Sequence, residues 1–430
     1  MEKIQALRGT RDILPDEVGA WQQVEAIARH CFARAAYQEI RTPIFEQTDL
    51  FARGIGEATD VVGKEMYTFT DRGDRSVTLR PEFTAGVVRA FIQNSKAFQG
   101  SVQRLWYAGP VFRYERPGAG RQRQFHQIGA EVIGNGSPAA DVEVIAIAMD
   151  ILQQLGLKSL SLVINSLGTQ ADRQQYRDAL VNYFTPYKAD LDPDSQDRLT
   201  RNPLRILDSK DEQTQTIVKD APQLLDYLAA DSQAHFAQVQ AMLRMLEIPF
   251  TVNPRLVRGL DYYTHTAFEI QSDDPDLGSQ VAVGGGGRYD GLVEQLGGKP
   301  TPAVGWAMGV ERLILLLAKL QARTAGVPAV YVVSRGDRAT AQAMLIAQKL
   351  RYADLRVEFD LTGANFKKQF KRADNSGAAV CLVVGESEAE AGTLNVKWLA
   401  RQSETTVAQA DFFNTIETFK AQLQAAGAQG

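Results

Sequence analysis

The residues best suited to chemistry lie in the stretch 111–131, which holds arginines and no lysine. Five arginines and no lysine occur between Arg104 and Arg123. Both side chains are cations, but the planar guanidinium can form two parallel hydrogen bonds to one phosphate or carboxylate. An ordinary surface hairpin would mix both cations and pair them with acids. The arginines therefore indicate a phosphate or carboxylate site, and an ordinary twisted surface hairpin is the alternative.

Two strands are predicted to position these arginines. Leu105–Tyr114 and Gln124–Ile133 are rich in β-forming residues, and the loop between them contains a proline and two glycines. Gln127 and Glu131 are four residues apart on the second strand, so their side chains should project from the same face. The hairpin therefore offers an amide and a carboxylate beside its cations.

Polar groups in two other stretches could join this site. Glu82 and Thr84 stand just before a predicted helix, where Thr84 is a candidate N-cap and Glu82 could hold an ammonium group. Arg258 is followed closely by Tyr262 and Tyr263 in a predicted strand region. A lone arginine in a strand is usually an edge or face residue, so these residues gain meaning only from their surroundings.

Two glycine-rich stretches follow these tyrosines in the chain. Four consecutive glycines at 284–287 let backbone approach a ligand or a neighbouring strand closely, although the lysine of a P-loop is absent. A strand punctuated by glycines at 303–309 leads into a helix, and Arg312 stands at the start of that helix. The segment Arg8–Pro15 is predicted to be an irregular lead-in.

Composition excludes several classes of function. The 430 residues have a net charge of −4, 44% hydrophobic and 23% charged residues, which is typical of a globular protein without a general basic coat. Cys31 and Cys381 are the only cysteines and the four histidines form no ligand motif, so no metal site is assigned. No secretory signal is visible, and apolar runs such as Leu313–Ala318 are too short to span a bilayer. We expect a cytoplasmic protein without membrane contact.

Composition also changes along the chain. Residues 1–325 hold the candidate site, and within them about 169–246 is rich in Gln, Asp and Leu, which predicts a helical insertion. Residues 328–430 alternate strand and helix, which predicts a separate α/β domain. A short helix in that domain carries cations that are either a solvated face or phosphate contacts. They are Lys367, Lys368, Lys371 and Arg372.

The order of the motifs resembles one enzyme family. Phe-Arg-x-Glu, a glycine-bearing loop and Arg-x-Arg-Gln-Phe-His-Gln-x-Gly-x-Glu (111–131) resemble motif 2 of class II aminoacyl-tRNA synthetases, in the form found in histidyl-tRNA synthetases. Arg-Gly-Leu-Asp-Tyr-Tyr (258–263) and Gly-Gly-Arg-Tyr-Asp-Gly-Leu (286–292) resemble that family's two signatures. The helix and strand ending at Pro43 are similar to motif 1, and 303–312 to motif 3. Where this chain has Phe83, the family more often has glycine.

The resemblance implies a fold and an activity. The fold would be an α+β catalytic core with an antiparallel sheet flanked by helices, as in class II synthetases, with a helical insertion and a C-terminal α/β domain that binds the anticodon. Motif 1 implies a homodimer. The activity would be ATP-dependent activation of L-histidine to histidyl-adenylate and pyrophosphate, followed by transfer to tRNA(His). Mg²⁺ is expected to accompany ATP.

The resemblance also implies roles for individual residues. Arg258 and Arg113 would be catalytic, with Arg113 on the α-phosphate. ATP would be held by Arg113, Arg121, Phe125 and Arg312, with adenine between the last two. Histidine would be held by Glu82, Thr84, Gln127, Glu131, Tyr262 and Tyr263. Within that set Glu131 and Tyr263 would pair with the imidazole nitrogens, and Lys367, Lys368, Lys371 and Arg372 would bind tRNA.

Other functions remain open from sequence. A non-catalytic histidine-sensing paralogue would share the core but typically lacks the C-terminal domain and the catalytic arginines. A nucleic-acid-binding module without catalysis would explain the C-terminal domain but not the candidate ATP site. A class II synthetase for another amino acid would share motifs 1 to 3, whereas the stretch 258–263 and the Gln127/Glu131 pair favour histidine.

Overall fold

The computed structural model describes residues 3–56, 59, 61–98, 102–118, 120–256, 260, 262–274, 282–318, 327–401 and 403–426. The chain divides into two compact units, Met1–Arg323 and Thr324–Gly430. Each is described by itself.

The first unit is built on a large sheet and a small one. Its strands are β1 (Gln38–Glu39), β2 (Phe45–Gln47), β3 (Tyr67–Thr70), β4 (Ser76–Leu79), β5 (Gln103–Phe112), β6 (Gln124–Ile133), β7 (Leu160–Ser166), β8 (Phe250–Val252), β9 (Thr264–Ser272), β10 (Ala282–Arg288) and β11 (Ala303–Gly309). Among the described residues the large sheet has the order β1-β5-β6-β11-β10-β9-β7-β8, and β2-β4-β3 form the small sheet. The strands from β5 to β7 in that order pair antiparallel, while β1 and β8 pair parallel at the two edges. The predicted antiparallel sheet is therefore present, with a parallel strand at each edge.

The helices of the first unit connect and cover these strands. They are α1 (Pro15–Arg34), α2 (Thr48–Ile55), α3 (Thr84–Gln93), α4 (Pro138–Gln154), α5 (Gln170–Phe184), α6 (Pro193–Arg201), α7 (Glu212–Val218), α8 (Ala230–Met245), α9 (Leu292–Gln295) and α10 (Val310–Leu317). Short 3₁₀ segments lie at Thr185–Asp190, Pro203–Asp208 and Leu224–Tyr227, and a π-helical turn at Val61–Glu65.

Alternation along the strands sends side chains to two different environments. On β6, Ile128, Ala130 and Val132 join the main hydrophobic core with α1, α4, α8 and α10. The intervening residues of β6 face the opposite side, where Glu131 is buried and Ile133 belongs to a second core. Because successive strand residues point to opposite faces, one face of the sheet packs against helices while the other is free to carry polar groups.

The predicted insertion is helical, but its helices do not share one environment. Leu180, Phe184 and Leu199, on α5 and α6, pack in the second core together with the pocket residue Tyr262. Phe236 and Leu243, on α8, instead pack in the main core with α4. The last helix of the predicted insertion therefore supports the helical layer of the sheet.

The second unit is built on a five-stranded sheet with helices between and after its strands. Its strands are β12 (Val330–Ser334), β13 (Val357–Phe359), β14 (Val380–Val384), β15 (Thr393–Trp398) and β16 (Ser403–Ala408), and its helices are α11 (Asp337–Tyr352), α12 (Phe366–Ser376), α13 (Glu386–Ala391), α14 (Gln409–Asn414) and α15 (Ile416–Ala425). Strand β12 pairs parallel with β13 and β14, and β14-β15-β16 pair antiparallel. Over the described parts of both units, no helix combines the length and apolar character needed to cross a membrane.

Candidate active site

A cleft opens on the polar face of the large sheet. Its walls come from the β5–β6 hairpin, the loop before α3, strands β10 and β11, and the start of α10. The predicted site residues that line it are Glu82, Thr84, Arg113, Arg121, Phe125, Gln127, Tyr262, Tyr263 and Arg312. Glu82 and Arg312 share this cleft although they are far apart in the sequence.

One end of the cleft, here called the buried end, consists of Glu82, Thr84, Tyr107, Glu131 and Tyr289. Glu82 is 4% exposed, and its carboxylate accepts hydrogen bonds from the backbone N–H groups of Thr84 (2.6 Å) and Ala85 (2.9 Å) at the start of α3. Burial raises the pKa of Glu82, and these bonds act against the rise. The prediction of Thr84 as N-cap is therefore wrong: Glu82 satisfies the helix start, which frees the Thr84 hydroxyl for another partner.

Glu131 does not itself line the cleft but is fully buried against three residues that do. Its carboxylate accepts hydrogen bonds from the hydroxyls of Thr84 (2.9 Å), Tyr107 (2.9 Å) and Tyr289 (2.5 Å). Burial raises its pKa to about 8, although the hydroxyl donors favour the charged form. The carboxylate fits because position 305 is glycine: a Cβ there would stand 1.6 Å from the Glu131 Oε2 atom.

An amide and two tyrosines stand beside this carboxylate. Gln127 lines the cleft, and its buried Oε1 atom accepts no hydrogen bond from the described protein atoms. Tyr262 and Tyr263 are buried with ring centroids 4.6 Å apart, and the ring of Tyr262 meets that of Tyr289 edge-on at 5.6 Å. A buried amide oxygen without a donor favours a ligand that supplies one.

Phe83 has a clear structural role in this chain. Its ring stacks on that of Tyr107, with 4.3 Å between the centroids and an interplanar angle of 11°. The Arg80 guanidinium lies 3.8 Å from the centroid of the Phe83 ring. Arg80 is in turn held by the carbonyl oxygens of Pro110 (2.8 Å) and Thr42 (2.9 Å). Phe83 therefore fixes the loop between Glu82 and Thr84 against the strand that carries Tyr107.

The other end of the cleft, here called the arginine end, consists of Arg113, Glu115, Arg121, Phe125 and Arg312. The Arg113 Nε donates to the Pro81 carbonyl (2.9 Å), and its guanidinium lies 5.4 Å from the Phe125 ring centroid. Arg121 pairs with Glu115 at 3.4 Å with 46% of its side chain exposed. Arg113 and Arg121 belong to the loop between β5 and β6 and are partly exposed to solvent, unlike the groups of the buried end.

Arg312 closes this end from α10. Its Nη1 donates to the Ala282 carbonyl. Burial lowers its pKa, and the neighbouring charge of Arg121 lowers it further. An anionic ligand between Arg121 and Arg312 would relieve the repulsion of these two cations.

The remaining predicted residues lie elsewhere. Arg258 lies outside the described residues. In the second unit Lys367, Lys368 and Lys371 are exposed on α12. Arg372 is instead engaged with the buried Asp360, with 2.8 Å between its Nε and Oδ2. Three of the four predicted cations therefore project to solvent in the described part of α12.

Sequence reasoning assigned no role to the tyrosines that hold Glu131. Tyr289 stands inside the Gly-Gly-Arg-Tyr-Asp-Gly-Leu stretch, which was a usable signal. Tyr107 lies opposite Gly129 on the neighbouring strand, and only this pairing brings its hydroxyl to Glu131. A buried acid in a strand predicts donors nearby, but strand register decides which residues supply them.

Comparisons with known proteins agree with this geometry. The family model described as "Histidyl-tRNA synthetase" matches residues 9–313, and that described as "Anticodon binding domain" matches residues 329–419. The chain is 64% identical over 420 residues to a histidine–tRNA ligase of Gloeothece citriformis, covering 98% of this chain and 97% of that protein. It is 64% identical over 423 residues to a histidine–tRNA ligase of Rippkaea orientalis, covering 98% of each.

A solved structure extends the match to three dimensions. The crystal structure of apo histidyl-tRNA synthetase from S. aureus is 39% identical, with a TM-score of 0.80 over 96% of this chain and 98% of that one. The predicted class II synthetase fold is thereby confirmed. On these grounds the chain belongs to the histidyl-tRNA synthetase family.

Proposed function

We propose that the cleft binds L-histidine at its buried end and ATP at its arginine end, and joins them as histidyl-adenylate. As a member of its family the chain is an ATP-dependent histidine–tRNA ligase. The observation that carries the assignment of the cleft is the adjacency of two unlike ends, one with buried carboxylates and one with clustered arginines. An amino acid and a nucleoside triphosphate need these two environments.

The buried end suits histidine. Glu82 and the unpaired Oε1 of Gln127 would accept hydrogen bonds from the ammonium group, with Thr84 beside them. Glu131 and Tyr263 would pair with the two imidazole nitrogens while Tyr262 lines the pocket. An apolar amino acid would form none of these hydrogen bonds, and a site built to hydrogen-bond the N–H groups of its substrate rejects an analogue without them by roughly 10⁴.

The arginine end suits ATP. Arg113 would hold the α-phosphate and Arg121 the γ-phosphate, exchanging its present partner Glu115 for a stronger anion. Phe125 and Arg312 would enclose adenine by stacking and cation–π contact. Arg258 would stabilise the transition state from the opposite side of the α-phosphate.

The chemistry requires positioning and charge stabilisation. A histidine carboxylate oxygen attacks the α-phosphorus, the bond to the bridging oxygen breaks, and pyrophosphate leaves with the electron pair. No proton moves and no covalent bond to the enzyme forms, so arginines placed on the phosphoryl oxygens suffice. A hydroxyl of the terminal ribose of tRNA(His) then attacks the activated carbonyl and releases AMP.

Mg²⁺ would enter with ATP. No cluster of three or more His, Cys, Asp or Glu side chains suited to a metal occurs among the described residues. This fits an ion held mainly by phosphate oxygens, with one or two carboxylates. Glu115 is the carboxylate that lines the arginine end. When bound, the ion would supply charge neutralisation at the phosphates.

Residues 328–430 would bind the tRNA anticodon, while residues 1–325, with the insertion at about 169–246, would carry catalysis. The exposed Lys367, Lys368 and Lys371 offer phosphate contacts. Removing residues 328–430 should weaken tRNA charging far more than histidine activation. Equal losses in both assays would favour a structural role for this domain.

A homodimer is supported by one exposed apolar face. Strand pairing places Phe45, Tyr67 and Phe69 on the same face of the small sheet, where Phe45 is 59% and Phe69 48% exposed. Exposed aromatic groups gathered on one face favour an interface. Sedimentation of the wild type should show a dimer and Phe45→Lys a shift toward monomer.

We expect the enzyme to act in the cytoplasm, where its tRNA is used.

ATP–pyrophosphate exchange with each of the twenty amino acids tests the function. Exchange should depend on histidine alone. Exchange with another amino acid would favour a different class II synthetase, and none from a folded protein that binds histidine would favour the sensor paralogue. Arg258→Ala should abolish exchange while ATP binding persists, and near-normal turnover would contradict its catalytic role.

A further inference from the structure

Strand β6 extends beyond its neighbour on one side. Strand β11 pairs with β6 from Ile133 only as far as Gln127, whereas β6 begins at Gln124. The backbone N–H groups on this open edge are capped by acceptors outside any strand. His126 N–H donates to the Glu311 carboxylate (3.0 Å), while the N–H groups of Arg123 (2.7 Å) and Gln124 (3.3 Å) donate to the Gly9 carbonyl.

Gly9 also lies against the loop that joins β5 to β6 (113–123), here called the arginine loop. Its φ is +87°, and a Cβ there would stand 2.7 Å from Arg123 Cγ and 2.8 Å from Cδ. The Arg123 side chain cannot yield freely, because its guanidinium lies 3.8 Å from the Tyr114 ring centroid and its Nε donates to the Glu115 carbonyl (3.3 Å). The close approach therefore requires glycine at position 9.

The segment that carries Gly9 is itself fastened to the fold. The Thr10 N–H and hydroxyl both donate to the Leu7 carbonyl, at 2.9 and 2.8 Å, which closes a tight turn around Gly9. Arg11 pairs with Glu17 on α1 at 2.6 Å. Further along α1, Trp21 meets the ring of His126 edge-on at 4.9 Å. The lead-in segment thus connects α1 to the root of the arginine loop.

We propose that Gly9 is a positioning residue for ATP, acting by fixing the point where the arginine loop returns to β6. Arg121 precedes this point by two residues, and Phe125 follows the second donor directly. A displacement of this root would move the proposed γ-phosphate and adenine contacts together, while the buried end is held by its own hydrogen bonds. The inference rests on the proposed assignment of ATP to the arginine end.

Gly9→Ala tests this role in histidine-dependent ATP–pyrophosphate exchange. We expect the KM for ATP to rise or kcat to fall by roughly 10- to 100-fold, the effect of a displacement near 1 Å. The histidine dissociation constant, measured by equilibrium dialysis without ATP, should stay within about twofold because the root lies at the arginine end.

Gly297→Ala is the matched control. Gly297 has φ +90°, nearly that of Gly9, but a Cβ there would meet no atom within 4 Å. It therefore reproduces the backbone strain without the contact, and its ATP constants should equal those of the wild type. Gly9→Ala should lose more thermal stability than Gly297→Ala, because it adds the contact with Arg123 to the same backbone strain.

Arg123→Ala provides a second, independent measurement. It removes the Cγ and Cδ atoms that a Cβ at position 9 would strike and leaves the Cβ of residue 123 at 3.0 Å, so adding Gly9→Ala to it should have a much smaller effect than in the wild type. Full additivity, a kcat/KM for ATP within about twofold of the wild type in Gly9→Ala, or equal changes in the histidine and ATP constants would each overturn the proposal. Absence of exchange in the wild type would instead contradict the proposed function.

Discussion

The buried end of the cleft is held by hydrogen bonds among its own side chains, whereas the arginine end depends on a loop fastened from outside. Glu131 has hydroxyl donors from helix α3, from strand β5 and from Tyr289 just after β10 before any ligand arrives. Arg121 is about half exposed and pairs with an acid on the same loop. The difference indicates that selectivity is built into rigid elements, while charge stabilisation is placed where a triphosphate can enter and pyrophosphate can leave.

The largest expected effect belongs to the arginine end. Arg113→Ala should reduce histidine-dependent exchange roughly 10²- to 10³-fold, because it removes charge stabilisation from the reacting phosphate. Histidine binding without ATP should persist. Arg116, exposed on the same loop and outside the cleft lining, supplies the control Arg116→Ala, which should retain activity. Loss of histidine binding in Arg113→Ala would erase the distinction between the two ends.

Glu131→Gln should affect the use of histidine and leave the use of ATP nearly unchanged. It weakens recognition of the imidazole and should lower kcat/KM for histidine by about 10²-fold, because an amide replaces the buried carboxyl group that would hydrogen-bond the substrate. The KM for ATP should change little. Glu143→Gln, which affects an acid paired with Arg104 away from the cleft, is the comparison. A larger change for ATP than for histidine would contradict the assignment of the buried end.

The raised pKa of Glu131, about 8, predicts a pH dependence of stability. Between its ordinary value near 4.5 and about 8, the folded protein keeps a proton that the unfolded chain releases. The stabilising contribution is therefore complete below pH 4.5 and is lost as pH rises through 8.

Urea unfolding of the ligand-free protein measures this dependence. The stability difference between wild type and Glu131→Gln should change by on the order of 2 kcal/mol from pH 6 to 7.5. Parallel pH profiles for the two proteins would show that Glu131 is already charged at pH 6.

The smallest effect is expected for Phe83→Leu. Losing the ring that stacks on Tyr107 removes about 0.5–1.5 kcal/mol of interaction free energy from the loop that carries Glu82. The KM for histidine should therefore rise about threefold to tenfold. Phe91→Leu changes another ring, which packs on Phe98 at 5.7 Å, and should lower only thermal stability. Equal KM values for the two variants would show that Phe83 does not hold the loop.

The local elements followed from the sequence because they depend on local patterns. Strand β6 (Gln124–Ile133) has the predicted bounds. Strand β5 ends at Phe112, two residues earlier than predicted, since Arg113 and Tyr114 already belong to the loop. Alternation also placed Gln127 and Glu131 on one face, as the cleft requires.

Capping and the far partners of these residues could not be read locally. Glu82 caps α3 because its backbone turns the carboxylate onto the N–H groups of Thr84 and Ala85, and the Thr84 hydroxyl then reaches Glu131. That second bond spans 47 residues. Sequence spacing contains no information about a contact whose geometry is set by the packing of a helix against a sheet.

Residue identity and order suffice for the family, the two-part organisation and the chemical types of the site. Packing sets how the residues are held: strand register brings Tyr107 to Glu131, Tyr289 reaches it from the end of β10, and a turn at Gly9 caps an edge that β11 leaves open. Such contacts join distant segments, and their existence depends on shape, burial and the need to satisfy every buried polar group.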